Sequence, residues 1–159
     1  MNLSSKVIGI LKGKTLATAE SLTGGGIGAA LTAVPGSSAV YKGGVISYTD
    51  EIKREILCVP PEWLEKYGAV SPWVAMEMAS GVRGLLHTDV AVSVTGLAGP
   101  GGDDKGHPVG TVYIGIATKE GVTTHRLYFP RKSREYVREA AASRVMMEAV
   151  RAAMGLGSL

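Results

Sequence analysis

Apolar positions fall in two rhythms along the chain, short continuous runs and stripes that recur every three to four residues. The runs at 15–19, 45–48 and 89–95 read as strands, the last being the strongest. A further pair, Val112 to Ala117 and Val122 to Phe129, brackets Lys119-Glu120-Gly121 and reads as a hairpin. Helical stripes occupy about 4–12, which ends near Gly13, and about 26–34, which Pro35-Gly36 stops. Asp50 and Glu51 suit a helix N-terminus by charge, and that helix carries Lys53 and ends before Pro60-Pro61. Pro61-Glu62-Trp63-Leu64 starts a short helical turn. Ser71 as N-cap with Pro72 behind it opens the clearest helix, to about Leu86, and Ser133 caps a last one reaching about Met154. Strands that alternate with helices and then form a hairpin imply an α/β sandwich with a mixed sheet. No internal repeat, low-complexity tract or linker interrupts 1–159, so one domain is expected.

Composition narrows the class. The 159 residues are 45% hydrophobic, enough for a full core without staples. Glycine, at 22 residues, is about twice its usual share, with no collagen period, so it serves loops and close backbone approach. The single Cys58 forms no internal disulfide and fits a reducing compartment. His87, His107 and His125 stand far apart, and no metal site is announced. Without a signal-like N-terminus or a long apolar run, a cytoplasmic protein is expected, off the membrane. From His125 onward, seven Arg/Lys face three Glu, a net +4, which leaves −1 of the total +3 for the first 124 residues. Such a tail serves nucleic acid or an anionic small molecule.

Three glycine-bearing segments can carry chemistry. In Ala19-Glu20-Ser21-Leu22-Thr23-Gly24-Gly25-Gly26 a strand ends and glycines lead into a helix, where free amides receive an anion or a developing oxyanion. Ser21 stands in a nucleophile's position there, although Ser21 or Thr23 could equally cap the helix. The nucleophile-elbow pattern fails, because Ala19 and Thr23 replace its glycines. In the second segment, Gly43-Gly44 precede the short strand that Tyr48 ends, and Lys53 follows in the next helix. A desolvated, neutral lysine beside a tyrosine can move protons, and a Ser–Lys pair can replace Ser–His. The plainer alternative is a surface lysine paired with Asp50 or Glu51. The third segment is the 15-residue loop from Gly96 to Gly110, directly after Thr95 and the strongest strand. Its portion 101–107 reads as a disordered surface excursion.

The last helix adds arginines. At about 100° per residue, Arg134 and Arg138 extend the apolar stripe of Ala141 and Val145 into the first turns. They suit a phosphate or carboxylate, or an internal salt bridge with Glu20. Tyr136, Ala140, Met147, Val150 and Met154 form a second apolar face, which points to a larger core or another subunit.

Together these segments resemble the C-terminal domain of the CinA family, the nicotinamide mononucleotide amidases. The resemblance rests on residues 18–25, Pro35-Gly36-Ser37-Ser38, residues 43–48 with Lys53, Gly68-Ala69-Val70-Ser71, residues 95–102 and Pro108-Val109-Gly110-Thr111-Val112, in family order. It departs at Leu22, where a smaller residue is common, and at Lys132-Ser133-Arg134, where relatives carry Gly-Asp-Arg. The resemblance implies a three-layer α/β/α sandwich. It also implies hydrolysis of the carboxamide of nicotinamide mononucleotide, without a cofactor or metal. Ser21 would be the nucleophile, with Tyr48 and Lys53 handling protons. Thr23, Gly24, Gly25, Thr95 and Gly96 would line the substrate, and Arg134 or Arg138 would hold its anionic part. A homo-oligomer, such as a dimer, is the expected state. A non-catalytic nucleotide- or DNA-binding module is the alternative, which the scarcity of aromatics on the basic tail disfavours.

Overall fold

Alternation along the first strand decides which side chains meet which helices. The computed structural model describes residues 1–156, and the last three residues of the expected 1–159 domain lie outside the described residues. Strand β1 (Leu16–Glu20) turns Leu16 into one apolar cluster and Ala17 and Ala19 into the other. Strand β3 (Val90–Gly96) repeats the split, with Val90, Val92 and Val94 on the first side and Ala91 on the second. Helices α1 (Leu3–Ile10), α2 (Gly26–Thr32) and α6 (Arg134–Ala153) cover the first face. Helices α3 (Asp50–Leu57), α4 (Pro61–Tyr67) and α5 (Pro72–Leu86) cover the second. The chain is therefore a three-layer α/β/α sandwich.

The sheet is mixed. Strand β2 (Tyr41–Ile46), β4 (Thr111–Thr118) and β5 (Gly121–Tyr128) complete the order β2-β1-β3-β4-β5. Strands β2, β1 and β3 run parallel, and β4 and β5 return antiparallel as the expected hairpin. The carboxyl ends of the three parallel strands thus share one edge, where ligands collect in such sheets.

Several boundaries differ from the sequence expectation. Strand β2 begins at Tyr41, includes both glycines and stops at Ile46, so Tyr48 lies beyond its end. Gly44 belongs inside the strand because a β-carbon there would stand 2.2 Å from Thr18 Oγ1. A short 3-10 turn at Ser37–Ala39 was not anticipated. The caps follow their chemistry: Ser71 Oγ accepts from Val74 N, Ser133 Oγ from Tyr136 N, and Thr49 Oγ1 from Ile52 N. Helix α5 crosses α3 at Gly81, where a β-carbon would stand 2.2 Å from the Leu57 carbonyl oxygen. On the second apolar stripe of α6, Tyr136, Met147 and Met154 are exposed.

Candidate active site

The split along β1 continues past its end. Glu20 points toward α2, where its carboxylate accepts from the Ile27 and Gly28 amides at 2.8 and 3.0 Å and from Thr23 Oγ1 at 2.8 Å. The expected bond between Glu20 and an arginine is therefore absent, because helix amides and a threonine occupy both its oxygens. Ser21 follows on the opposite side of the chain, toward α3. There Lys53 Nζ lies 3.0 Å from Ser21 Oγ.

Lys53 is not the surface residue its type suggests. It is 1% exposed, and its Nζ also donates to the carbonyls of Ser47 at 2.8 Å and Tyr48 at 3.3 Å. Among the described residues no carboxylate bonds to it. Burial lowers its pKa from 10.5 to about 8, against the opposing pull of the Asp50 carboxylate. A neutral amine has two hydrogens and one lone pair. Of the three partners, two are carbonyls that only accept, and the third is a hydroxyl that can donate. The three acceptors match an ammonium's three hydrogens, and loss of the proton directed at Ser21 Oγ would leave a lone pair facing that hydroxyl.

The pair opens onto a cavity of about 660 Å³, within the size range of small-molecule sites. Tyr48, Gly96 and Arg134 line it as the sequence suggested, but the roles shift. The Tyr48 hydroxyl accepts from Arg134 Nη2 at 3.2 Å, and only its main-chain carbonyl meets Lys53. Arg134 Nη1 donates to Gly99 O at 2.7 Å, which leaves three of its N–H groups for other acceptors.

Five expected substrate contacts lie outside the cavity wall. Thr95 is buried and donates to Ala69 O, fixing the segment that joins α4 to α5. Thr23 is turned toward Glu20, and Gly24 and Gly25 carry the positive φ angles of the turn into α2. Arg138 lies in a second depression between α2 and α6, with Nε donating to Leu22 O at 2.9 Å. Two of the three glycine amides are also engaged, Gly24 N to Ser21 O and Gly26 N to Thr23 O. By contrast, the amides of Leu22 and Thr23 meet no protein acceptor among the described residues.

The loop after β3 supplies residues that the sequence reading missed. Residues 101–107 are not a disordered excursion: Asp103, Asp104 and Lys105 line the cavity. Lys105 Nζ crosses to Glu65 O at the end of α4 at 2.7 Å. Burial works to raise the Asp103 pKa, but hydrogen bonds from the His107 ring and amide hold it below the usual carboxylate range. Glycine punctuation there suggested looseness, and only a long-range lysine-to-carbonyl bond, which no local pattern records, shows the closure. Among the described residues no group of three or more His, Cys, Asp or Glu gathers to hold a metal ion, and no helix is long and apolar enough to cross a membrane.

A buried serine–lysine pair at the carboxyl edge of a parallel strand cluster, walled by a folded-back glycine loop, defines the class of site. The family model for the CinA C-terminal domain matches residues 2–154. A CinA-like protein of Parasynechococcus marenigrum is 46% identical over 148 residues, and one of Synechococcus sp. is 50% identical over 135. These matches cover 91% and 84% of this chain but 35% and 32% of the relatives, so the chain spans about a third of their length. A CinA superfamily protein of Escherichia coli, described in its solved structure as competence-damaged protein, superposes with a TM-score of 0.91 at 35% identity. That match covers 95% of this chain and 88% of the other. The Agrobacterium tumefaciens competence/damage inducible protein gives 0.89 at 37% identity, covering 93% and 92%. The chain belongs to the CinA family.

Proposed function

We propose that the protein is a nicotinamide-nucleotide amidase that converts nicotinamide mononucleotide to nicotinic acid mononucleotide and ammonia. The 3.0 Å contact between Ser21 Oγ and the buried Lys53 amine carries this reading. Neutral Lys53 takes the Ser21 proton as Oγ attacks the carboxamide carbon, and the carbonyl electron pair moves to oxygen. The new ammonium gives its proton to the amide nitrogen, the C–N bond breaks, and ammonia leaves an acyl-serine. Water then yields a proton to Lys53 and adds to the acyl carbon. Collapse returns the proton to Ser21 and releases the carboxylic acid.

The open amides of Leu22 and Thr23 suit the oxyanion better than those of Gly24 and Gly26, which are engaged within the turn, or that of Gly25, which lies outside the cavity wall. Arg134 suits the anionic phosphate, with its remaining N–H groups facing the cavity. Tyr48 contributes through its carbonyl, which helps hold Lys53, and through the hydroxyl that steadies Arg134. The decisive experiment incubates purified protein with nicotinamide mononucleotide, nicotinamide and NAD separately and follows ammonia. Release from the mononucleotide alone, lost in Ser21→Ala, is the expected result. Undiminished release by Ser21→Ala, or none from any of the three, would overturn the proposal.

A further inference from the structure

The turn that presents Ser21 carries a weak point that its own hydrogen bonds do not secure. Gly24 N donates to Ser21 O at 3.0 Å, closing a four-residue turn over Ser21–Gly24. Such a turn leaves its central peptide, here the one joining Leu22 to Thr23, outside the closing bond. Flipping that peptide by about 180° would turn a type I turn into a type II turn, which needs a positive φ at Thr23; Thr23 has none, and its branched side chain already disfavours the flip. In one orientation its N–H faces one side of the chain and its C=O the other, and a flip exchanges them.

Arg138 adds a second hold on the same orientation from another part of the fold. It sits in the first half of α6, more than a hundred residues away in sequence. Its Nε donates to Leu22 O at 2.9 Å, and Nη2 lies 3.5 Å from Thr23 O. The carbonyl of the central peptide is therefore held toward α6. In a planar trans peptide the N–H points opposite to the C=O, so Thr23 N–H is turned away from α6. The turn also separates two depressions. Ser21 and Leu22 line the cavity with Lys53, whereas Thr23 and Arg138 line the one against α6. Leu22 and Thr23 are 4% and 3% exposed, yet neither amide has a protein acceptor among the described residues. Amides without partners in residues this buried are uncommon, and these two follow Ser21 directly in the chain, which suits them to an incoming acceptor.

We propose that Arg138 is a positioning residue that holds the Leu22–Thr23 peptide and so keeps the Thr23 amide, next to that of Leu22, ready for the oxyanion formed at Ser21. It acts through the main chain and does not touch substrate. The inference rests on Ser21 as the acylated nucleophile of the proposed amidase, and it makes the two arginines of α6 different in kind. Arg134 faces the cavity and binds; Arg138 shapes the donors.

The test compares wild type, Arg138→Met and Arg138→Lys in two assays. The first is ammonia release from nicotinamide mononucleotide. The second is acylation of Ser21 by p-nitrophenyl acetate, read by mass spectrometry, which needs the oxyanion donors but not the natural substrate. Arg138→Met should lower kcat about 100-fold, the scale of one lost oxyanion donor, with KM changed less than about threefold. Ser21 acylation should slow in parallel. Arg138→Lys restores one donor to Leu22 O and should recover about tenfold of the loss, which a purely structural defect would not do. Thermal melting monitors folding, and if the methionine variant does not fold, the lysine variant carries the same kcat-against-KM comparison. A raised KM at unchanged kcat would overturn the proposal in favour of direct substrate binding. Equal acylation rates in all three proteins would overturn it outright. Acylation that depends on Arg138 without any ammonia release would retain it while removing the substrate assignment. No acylation of Ser21 in the wild type would overturn both.

Discussion

Lys53 and Glu148 are both buried and ionisable, and the protein keeps them in opposite ways. Glu148, on α6, is 2% exposed and paired with a guanidinium: Arg144 Nε donates to it at 3.0 Å. Among the described residues Lys53 hydrogen-bonds only to uncharged oxygens, those of Ser21, Ser47 and Tyr48. A buried carboxylate with a guanidinium partner forms an ion pair, here between successive turns of α6. A buried amine without an opposite partner is driven toward its neutral form, and a neutral amine can accept a proton. The contrast separates an ion pair that serves the fold from an ionisable group left unmatched at a site of chemistry.

The largest effect should come from removing the unmatched group. Ser21→Ala and Lys53→Met should each reduce ammonia release about 10³-fold or more while circular dichroism and cooperative melting persist. Glu148→Ala should do the reverse. It leaves Arg144 without its carboxylate and should cost about 2 kcal/mol in urea denaturation, a value below the fully buried case because Arg144 is partly solvated. Turnover should stay within about twofold. A Glu148 variant that is inactive but stable would erase the distinction.

Titration sharpens the comparison further. With its pKa at about 8, Lys53 is neutral in about one molecule in ten at pH 7, so kcat/KM should rise nearly tenfold between pH 7 and 9. Stability follows the same group. The folded lysine releases its proton near pH 8 and the unfolded one near 10.5, so between these values the unfolded chain binds the extra proton. Raising the pH should therefore stabilise the wild type relative to Lys53→Met, by about 3 kcal/mol over the whole window. Urea titrations of both proteins at pH 7.5, 9 and 10 would measure this. The smallest effect should be Tyr48→Phe, within about threefold in kcat, because the hydroxyl bonds to Arg134 while the retained carbonyl holds Lys53. A loss as large as that of Lys53→Met would return the hydroxyl to the proton path.

Much of the fold was legible because short-range chemistry decides it. Ser71 and Ser133 cap the helices they were expected to cap, and the β4–β5 hairpin follows from its alternation and Gly121. Strand β2 was misplaced because its two glycines, of which Gly44 is required by the approach of Thr18, break the apolar rhythm that marks a strand. At the site, the positions of Ser21 and Lys53 at one sheet edge could be read from element order. The burial of Lys53 could not, since lysine is ordinarily a surface residue. The arginine stripe on α6 was visible as a stripe, but its division was not. Arg138 reaches main-chain carbonyls, and every residue offers one, so no letter of the sequence marks the acceptor.

Gly81 carries a consequence for how this sequence can vary. It belongs to α5, outside the cavity wall, and touches no residue of the proposed reaction. Yet any side chain there, even a methyl group, would press on the Leu57 carbonyl, the last residue of the helix that bears Lys53 one turn earlier. A lineage that drifted at Gly81 could preserve Ser21 and Lys53 letter for letter and still lose the contact between them. Tolerance to mutation in this domain is therefore set by which helix a position leans on rather than by its distance from the serine.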